Sequence, residues 1–351
     1  MTIIGAVLAQ VGLRQDPGVD VLARRLRAQL LCGPPATQAV GVVKQLLALQ
    51  AQDFVGARLS VRARSTGLTA AHVDRALAER ELVVSWLNRG TLHLVRSEDL
   101  PWLHALTTPQ LASSNRTRLR QEGVDESQAE RAVAVIRDRL SQGPARRAEL
   151  RAELEVAGVP VLGQAVPHVL LLATLRGVCV RGPVVGREQA FVLLEDWLPG
   201  LPPVDRDQAL AELGRRYLLG HTPATAHDLA KWAGISLRDA RTALRDCEQP
   251  SGRSGPLPPP RLLGMFDELL MGWASRELVL GQHTHLVTSN GMFRAVVLVD
   301  GRAVGTWTRP GGRVQLEPFA PLADSVLGHL AAEASDVERF LKAGTTPNST
   351  R

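Results

Sequence analysis

Gln50 and Gln52 stand either side of Ala51, with Asp53 next, where an apolar helical run gives out. A carboxamide neither takes nor gives a proton near pH 7. Its oxygen accepts hydrogen bonds and its NH2 donates them, so a pair can orient a water or a sugar without titrating. Residues i and i+2 lie about 200° apart on an α-helix but share one face of an extended segment. The two amides therefore converge only if the helix ends near Leu49 and the chain then opens out. The apolar spacing of Val40, Val43, Leu46 and Leu47 stops being clear at that point, which allows it. Without that change of conformation the pair is a solvated helix end.

The other chemistry-bearing residues are weaker signals. His93 in RGTLHLV falls on a strand pattern, where it is either packed or close to the glutamines. Asp267 and Glu268 are adjacent carboxylates, and chain neighbours point apart, so capping or ion pairing is the expected use. His283 and His285 have no convincing partners for a metal site, and no metal or other cofactor is expected. No glycine-rich phosphate loop stands between a strand and a helix, which argues against nucleotide-driven chemistry. Cys32, Cys179 and Cys247 are odd in number and widely spaced, which fits neither a disulfide framework nor a zinc site.

The elements that must position these residues repeat along the chain. GPARRAEL (143–150) and TPATAHDL (222–229) share Pro-Ala followed by an acid and a leucine at fixed spacing. Each follows a helical segment, at about 126–141 and 206–219. Thr225 with Asp228, and Ser236 with Asp239, fit capping-box spacing, and Gly234 is placed to end the intervening helix. LVVSW and TLHLV (82–95) read as two strands around Asn-Arg-Gly, and 176–198 as a second pair. A helix-turn-helix followed by a β-hairpin is a winged helix. The expected fold is α+β and mainly helical: three tandem winged-helix modules at about 17–110, 120–200 and 204–345, the last with a β-rich, barrel-like part. The Pro/Gly/Ser stretch 248–261 reads as a loop, Asp300-Gly301 as a hairpin turn, and about 321–342 as a final helix. The first dozen residues read as an N-terminal arm rather than a secretory signal, and the polar tail 344–351 as disordered.

Composition sets the class of partner. The chain has 351 residues, 45% hydrophobic and 22% charged, as in ordinary globular proteins, and no apolar run long enough to span a bilayer. Its net charge is +6, carried by 38 Arg against 3 Lys. A GC-rich genome biases codons that way, yet arginine also suits phosphate through its bidentate fork. Arg58, Arg62, Arg89, Arg116 and Arg118 are candidate phosphate contacts, giving salt-dependent affinity without sequence choice.

Taken together, LLALQAQD, ALAERELVVSWLNRGTLHLVRSEDLPWL, FVLLEDWLP, HTPATAHDLAKWAGISLRDAR, FDELLMGW and FRAVVLVDGRAVGTW resemble the AlkZ-type winged-helix DNA glycosylases, a bacterial group. The likeness runs over roughly residues 20 to 342. The related YcaQ-like branch carries Asp at the second motif position, which here is Gln52, so the chain sides with the AlkZ-type branch. The resemblance implies hydrolysis of the N-glycosidic bond of N7-alkylguanine in double-stranded DNA, including bulky adducts and interstrand crosslinks made by antibiotics. It makes Gln50 and Gln52 the catalytic pair and places a DNA-probing hairpin at 283–297 around Asn290-Gly291; Asp53 matches neither branch's catalytic acid and, with His93 on the predicted wing, is taken as a supporting residue. A base alkylated at N7 is a cation and leaves as a neutral molecule without prior protonation, so amides that align water with C1′ suffice. Aromatic content of 4% offers no evident stacking platform for an extruded base. The implied setting is a cytoplasmic, nucleoid-associated monomer in a bacterium, in repair or antibiotic self-resistance. A non-catalytic winged-helix regulator, or an RNA- or protein-binding array, accounts for the charge and repeats equally well but not for the glutamine pair.

Overall fold

The computed structural model describes residues 17–249, 257–288 and 291–342. The N-terminal arm, residues 250–256 of the Pro/Gly/Ser loop, Ser289, Asn290 and the C-terminal tail lie outside the described residues. The first unit begins with α1 (Pro17–Ala28), α2 (Ala39–Leu46), β1 (Ala48–Gln50), α3 (Phe54–Ala63) and α4 (Ala70–Ala78). The strands β2 (Leu82–Leu87) and β3 (Thr91–Arg96) follow, meeting the expected hairpin at 82–95 almost to the residue. The helices α5 (Leu100–Thr107) and α6 (Leu111–Gln121) lead to a second unit. That unit holds α7 (Glu126–Ser141), α8 (Arg147–Val156), α9 (Ala165–Leu175), β4 (Cys179–Val185), β5 (Glu188–Leu193) and the single turn α10 (Leu194–Trp197).

Helix, short extended segment, two helices and hairpin thus occur twice in the same order. In the second copy the extended segment shrinks to one bridge, Ala145 to Phe191. The two hairpins fuse through a contact between Val84 and Arg181, giving one antiparallel five-stranded sheet in the order β1-β3-β2-β4-β5. Leu49, Leu94 and Val84 face one apolar cluster, while Ala48, Val95 and Val83 face another. The alternation follows the two-residue period of a strand buried on both faces.

A third group of helices, α11 (Arg206–His221), α12 (Ala226–Ala233) and α13 (Leu237–Ala243), carries the expected caps. Thr225 and Asp228 form a capping box, Gly234 ends α12 at φ 71°, and Ser236 accepts from the Asp239 N–H. No wing hairpin follows α13 directly among the described residues. The chain runs instead to β6 (Arg261–Leu263), α14 (Glu268–Met271), α15 (Glu277–Leu280), β7 (Val296–Val299), β8 (Arg302–Thr308) and β9 (Gln315–Pro318). These four strands make an open antiparallel sheet, β6-β7-β8-β9, whose outer strands do not pair. The expected barrel is therefore corrected to an open sheet. The long helix α16 (Asp324–Lys342) closes on β6 and α3 through buried Leu330, Val337 and Phe340.

Candidate active site

The geometric condition on the glutamines is met by one strained residue. α2 buries Ala39, Val42, Val43 and Leu46 and stops there. Leu47 then takes φ 71° and ψ −54°, a conformation that costs a branched residue about 1–3 kcal/mol. It persists because the Leu47 side chain is fully buried and its N–H still donates to the Val43 carbonyl at 2.8 Å. The reversal swings Ala48–Gln50 into β1 against β3, with Gln50 opposite His93. The Ala51 N–H donates to the Leu92 carbonyl at 2.7 Å, and the Leu92 N–H donates to Gln52 Oε1 at 3.4 Å. Gln50 is thus paired with β3 through its backbone and buried, while Gln52 is exposed and its carboxamide accepts from β3.

Asp53 is the N-cap of α3: its carboxylate accepts from the Gly56 N–H at 3.0 Å, a contact worth about 1 kcal/mol. Gly56 cannot be larger, since a Cβ there would stand 2.4 Å from the Met265 carbonyl oxygen. The cap and this close approach fix the direction in which the chain leaves Gln52.

His93 lies between Gln50 on β1 and Ser85 on β2, all three in one cross-strand row. Nδ1 is 2.9 Å from the Thr91 carbonyl oxygen, which only accepts, so the ring proton sits on Nδ1 and Nε2 carries a lone pair. Asn88 Nδ2 approaches that nitrogen at 3.4 Å. Burial, reinforced by the charge of Arg89, lowers the His93 pKa to about 3, so the imidazole is neutral in the physiological range. Around it, Gln50 Oε1, Ser85 Oγ, Asn88 Oδ1 and Thr91 Oγ1 are buried and have no hydrogen-bond partner among the described residues. Leaving such an atom unpaired costs about 1–3 kcal/mol. A cluster of them points to a site where a bound molecule completes the bonding. The result is a patch of neutral polar side chains with hydrogen-bonding capacity left over, the two amide oxygens as acceptors and the two hydroxyls as donors or acceptors. Ser85, Asn88 and Thr91 escaped the sequence reading. Their signal was a lone serine inside the apolar run LVVSWL and polar residues at the turn that follows.

The candidate arginines divide. Arg62 is buried, donating to Asp336 at 2.9 Å and to the Leu262 carbonyl at 3.1 Å and pairing with Glu333. Its place as a phosphate contact is therefore corrected: its donors are spent fastening α16. Arg58 is pinned between Asp74 and the Phe54 ring, 4.3 Å away. Arg89 donates to the Lys231 and Trp232 carbonyls at 2.7 and 2.6 Å, tying the β2–β3 turn to the end of α12. Arg116 and Arg118 are exposed on α6 beside Arg120, in a helix without a single acid. Replacing Arg116 and Arg118 by alanine is expected to flatten the dependence of log K on log salt by about 2, from roughly 0.9 per lost phosphate contact. Titration of duplex DNA at several salt concentrations measures it, and an unchanged slope removes α6 from the interface.

His283 stacks on Phe319 and His285 meets the same ring edge-on, and no cluster suited to a metal ion occurs among the described residues. Burial pushes the Cys179 thiol up to about 12, far from a nucleophile. The hairpin expected at 283–297 is here a 3-10 turn at Thr284–Leu286 and one bridge between Val287 and Phe293. Its expected tip at Asn290 lies outside the described residues. No helix among the described residues is long and apolar enough to cross a membrane.

Known proteins share the sequence and the fold of this chain. A relative from Streptomyces sahachiroi, described as an interstrand DNA cross-link repair glycosylase, is 29% identical over 360 residues, covering 91% of this chain and 95% of its own. The solved structure of Streptomyces sahachiroi DNA glycosylase AlkZ shares the fold, with a TM-score of 0.73 at 24% identity over 92% of this chain and 96% of that one. The family described as DNA glycosylase AlkZ-like matches residues 43–340, which takes in both glutamines, the β2–β3 hairpin and the open sheet. This chain belongs to the AlkZ-like family of DNA glycosylases, which sets aside the regulator and the binding array.

Proposed function

We propose that the enzyme hydrolyses the N-glycosidic bond of N7-alkylguanine in double-stranded DNA, with Gln50 and Gln52 holding the attacking water. The supporting observation is the uncharged polar row at Gln50, His93 and Ser85. With its pKa near 3, His93 is no proton donor near neutrality. A site built this way suits a leaving group that is already cationic. Water oxygen bonds to C1′, the C1′–N9 electrons pass to the positively charged purine, and the base departs neutral. The water proton is released to solvent, because a carboxamide orients water without keeping its proton. Gln50 Oε1 and the His93 lone pair favour the electron-poor sugar that forms on the way.

On this reading the two helix–hairpin units are winged helices, at about 17–110 and 120–200, and the remainder, 204–345, is a third module carrying the open sheet. The enzyme acts as a monomer on DNA, bound chiefly through phosphates. The relative's crosslink repair extends the substrate range to interstrand crosslinks, with a nucleoid-associated location in the cytoplasm. A duplex carrying one N7-methylguanine, incubated with the protein and then treated with alkali, is expected to break at the lesion, and a uracil duplex is expected to stay intact. Efficient uracil excision contradicts the scheme.

The pH profile separates water positioning from acid–base catalysis. The single-turnover rate is expected to be flat between about pH 5 and 8, because His93 titrates near 3. A limb near 6.5 in that profile makes His93 an acid–base group and removes the positioning scheme.

A further inference from the structure

A concave surface opens at the start of α3, beside Asp53 and so one residue beyond Gln52. It is a cleft of about 410 Å³ between α3, the turn after β6 and the open sheet. Its size falls within the range of ordinary ligand pockets. Val55, Leu59, Met265 and Trp307 form apolar walls. The Trp307 Nε1–H donates to the Leu263 carbonyl at 2.9 Å, so the indole has no free polar atom to offer a ligand. Val55 is 41% exposed, although an apolar side chain at a helix start has no packing reason to face solvent. Contact between Gly56 and the Met265 carbonyl leaves the Met265 wall no room to shift toward α3.

The rim supplies charge. Arg294 and Arg309 line the cleft and are exposed, and their guanidinium groups have no ion-pair or hydrogen-bond partner among the described residues. Two carboxylates line the cleft as well, and both are engaged: Glu317 accepts from Thr306 Oγ1 at 3.0 Å and Asp53 accepts from the Gly56 N–H at 3.0 Å. Apolar walls beside two unpaired guanidiniums are complementary to one chemical unit of DNA: a flat base on the carbon surface, with its phosphate on the arginines. A paired base cannot enter, since its faces are stacked within the duplex.

We propose that this cleft binds one deoxynucleotide swung out of the duplex, its base against Val55, Leu59, Met265 and Trp307 and its phosphate on Arg294 and Arg309. It supplies the extruded-base platform that the low aromatic content failed to suggest. Contact of a base with such a surface contributes about 1–3 kcal/mol, and a nucleotide that is already unpaired costs least to extrude.

The test compares two undamaged duplexes, one fully paired and one with a single bulged nucleotide, by fluorescence anisotropy. The wild-type protein is expected to bind the bulged duplex about tenfold more tightly, within the range a stacked base contributes. Val55→Trp fills the cleft and is expected to abolish that preference while leaving affinity for the paired duplex unchanged. Arg294→Ala with Arg309→Ala is expected to weaken the bulged complex most. Absence of a preference in the wild type, or a preference that survives Val55→Trp, overturns the proposal. Equal loss on both duplexes also overturns it, by making the cleft a general DNA contact. An unchanged melting temperature shows that Val55→Trp is folded, and excision of N7-methylguanine by the wild-type protein reports on the proposed reaction separately.

Discussion

Gln52→Ala is expected to slow single-turnover excision of N7-methylguanine by about 10²–10³-fold, while DNA affinity and melting temperature stay at wild-type values. The size follows from the role: a group that orients an attacking water supplies several kcal/mol through positioning, and a 10²–10³-fold loss corresponds to about 3–4 kcal/mol. The unchanged stability follows from exposure, since Gln52 makes one long contact, 3.4 Å from the Leu92 N–H to its side-chain oxygen. Gln50→Ala is expected to lose at least as much activity. Its carboxamide oxygen is buried without a partner among the described residues, so its removal relieves a desolvated acceptor and does not destabilise the fold. Gln50→Glu is the sharper probe: a carboxylate beside the neutral His93 is expected to raise the histidine pKa and to bring a pH-dependent limb into the rate. Measured rates within about threefold of wild type for both alanine variants would move the water to another part of the patch.

Arg64→Ala is expected to have the largest effect on stability, a loss of about 3–5 kcal/mol, read as a lower urea midpoint. Arg64 and Asp267 are fully buried and joined by two hydrogen bonds, of 2.8 and 2.7 Å. Gln29 Oε1 accepts from the same guanidinium at 2.9 Å, and Ser60 Oγ donates to the same carboxylate at 3.0 Å. Removing the arginine leaves a buried carboxylate unpaired, which accounts for most of the cost. Burial pushes the Asp267 carboxyl up, but the Arg64 charge and the hydrogen bonds from Arg64, Leu269 and Ser60 outweigh it and hold the group below its usual value. The stabilisation is therefore present above the ordinary aspartate range, near 4, and is lost as pH falls through the lower folded value. An apolar double replacement, Arg64→Met with Asp267→Leu, is expected to recover much of the loss. Equal destabilisation of the single and double variants would show that the pair itself, and not the uncompensated charge, carries the energy. Because α3 also bears the Asp53 cap, partial unfolding of this corner is expected to reduce excision before DNA binding.

Much of the chain was legible in its residues because the forces that set it act over a few positions. Thr225, Asp228, Gly234 and Ser236 mark their helix ends through hydrogen bonds and dihedrals that span three or four residues. The hairpin 82–95 follows from two-residue alternation around a turn with φ 49° at Asn88 and 83° at Gly90. The location of the glutamine pair, and the requirement that the helix end before it, were equally local. The residue that ends the helix was not, because Leu47 adopts an unfavourable conformation that only tertiary burial of its side chain repays.

The pairing of distant segments was decided by the folded structure alone. Which side chains neighbour Gln50 depends on the register of β1 on β3, and that register brings in His93, Ser85, Asn88 and Thr91 from a different stretch of sequence. Arg62 and Arg116 look alike in a sequence, yet one is buried among Glu333 and Asp336 and the other faces solvent. Four strands read as barrel-like remain an open sheet because no partner joins β6 to β9. Composition and periodicity fix what a segment can become, whereas the desolvation of a charge or an amide is set only once remote segments have packed around it.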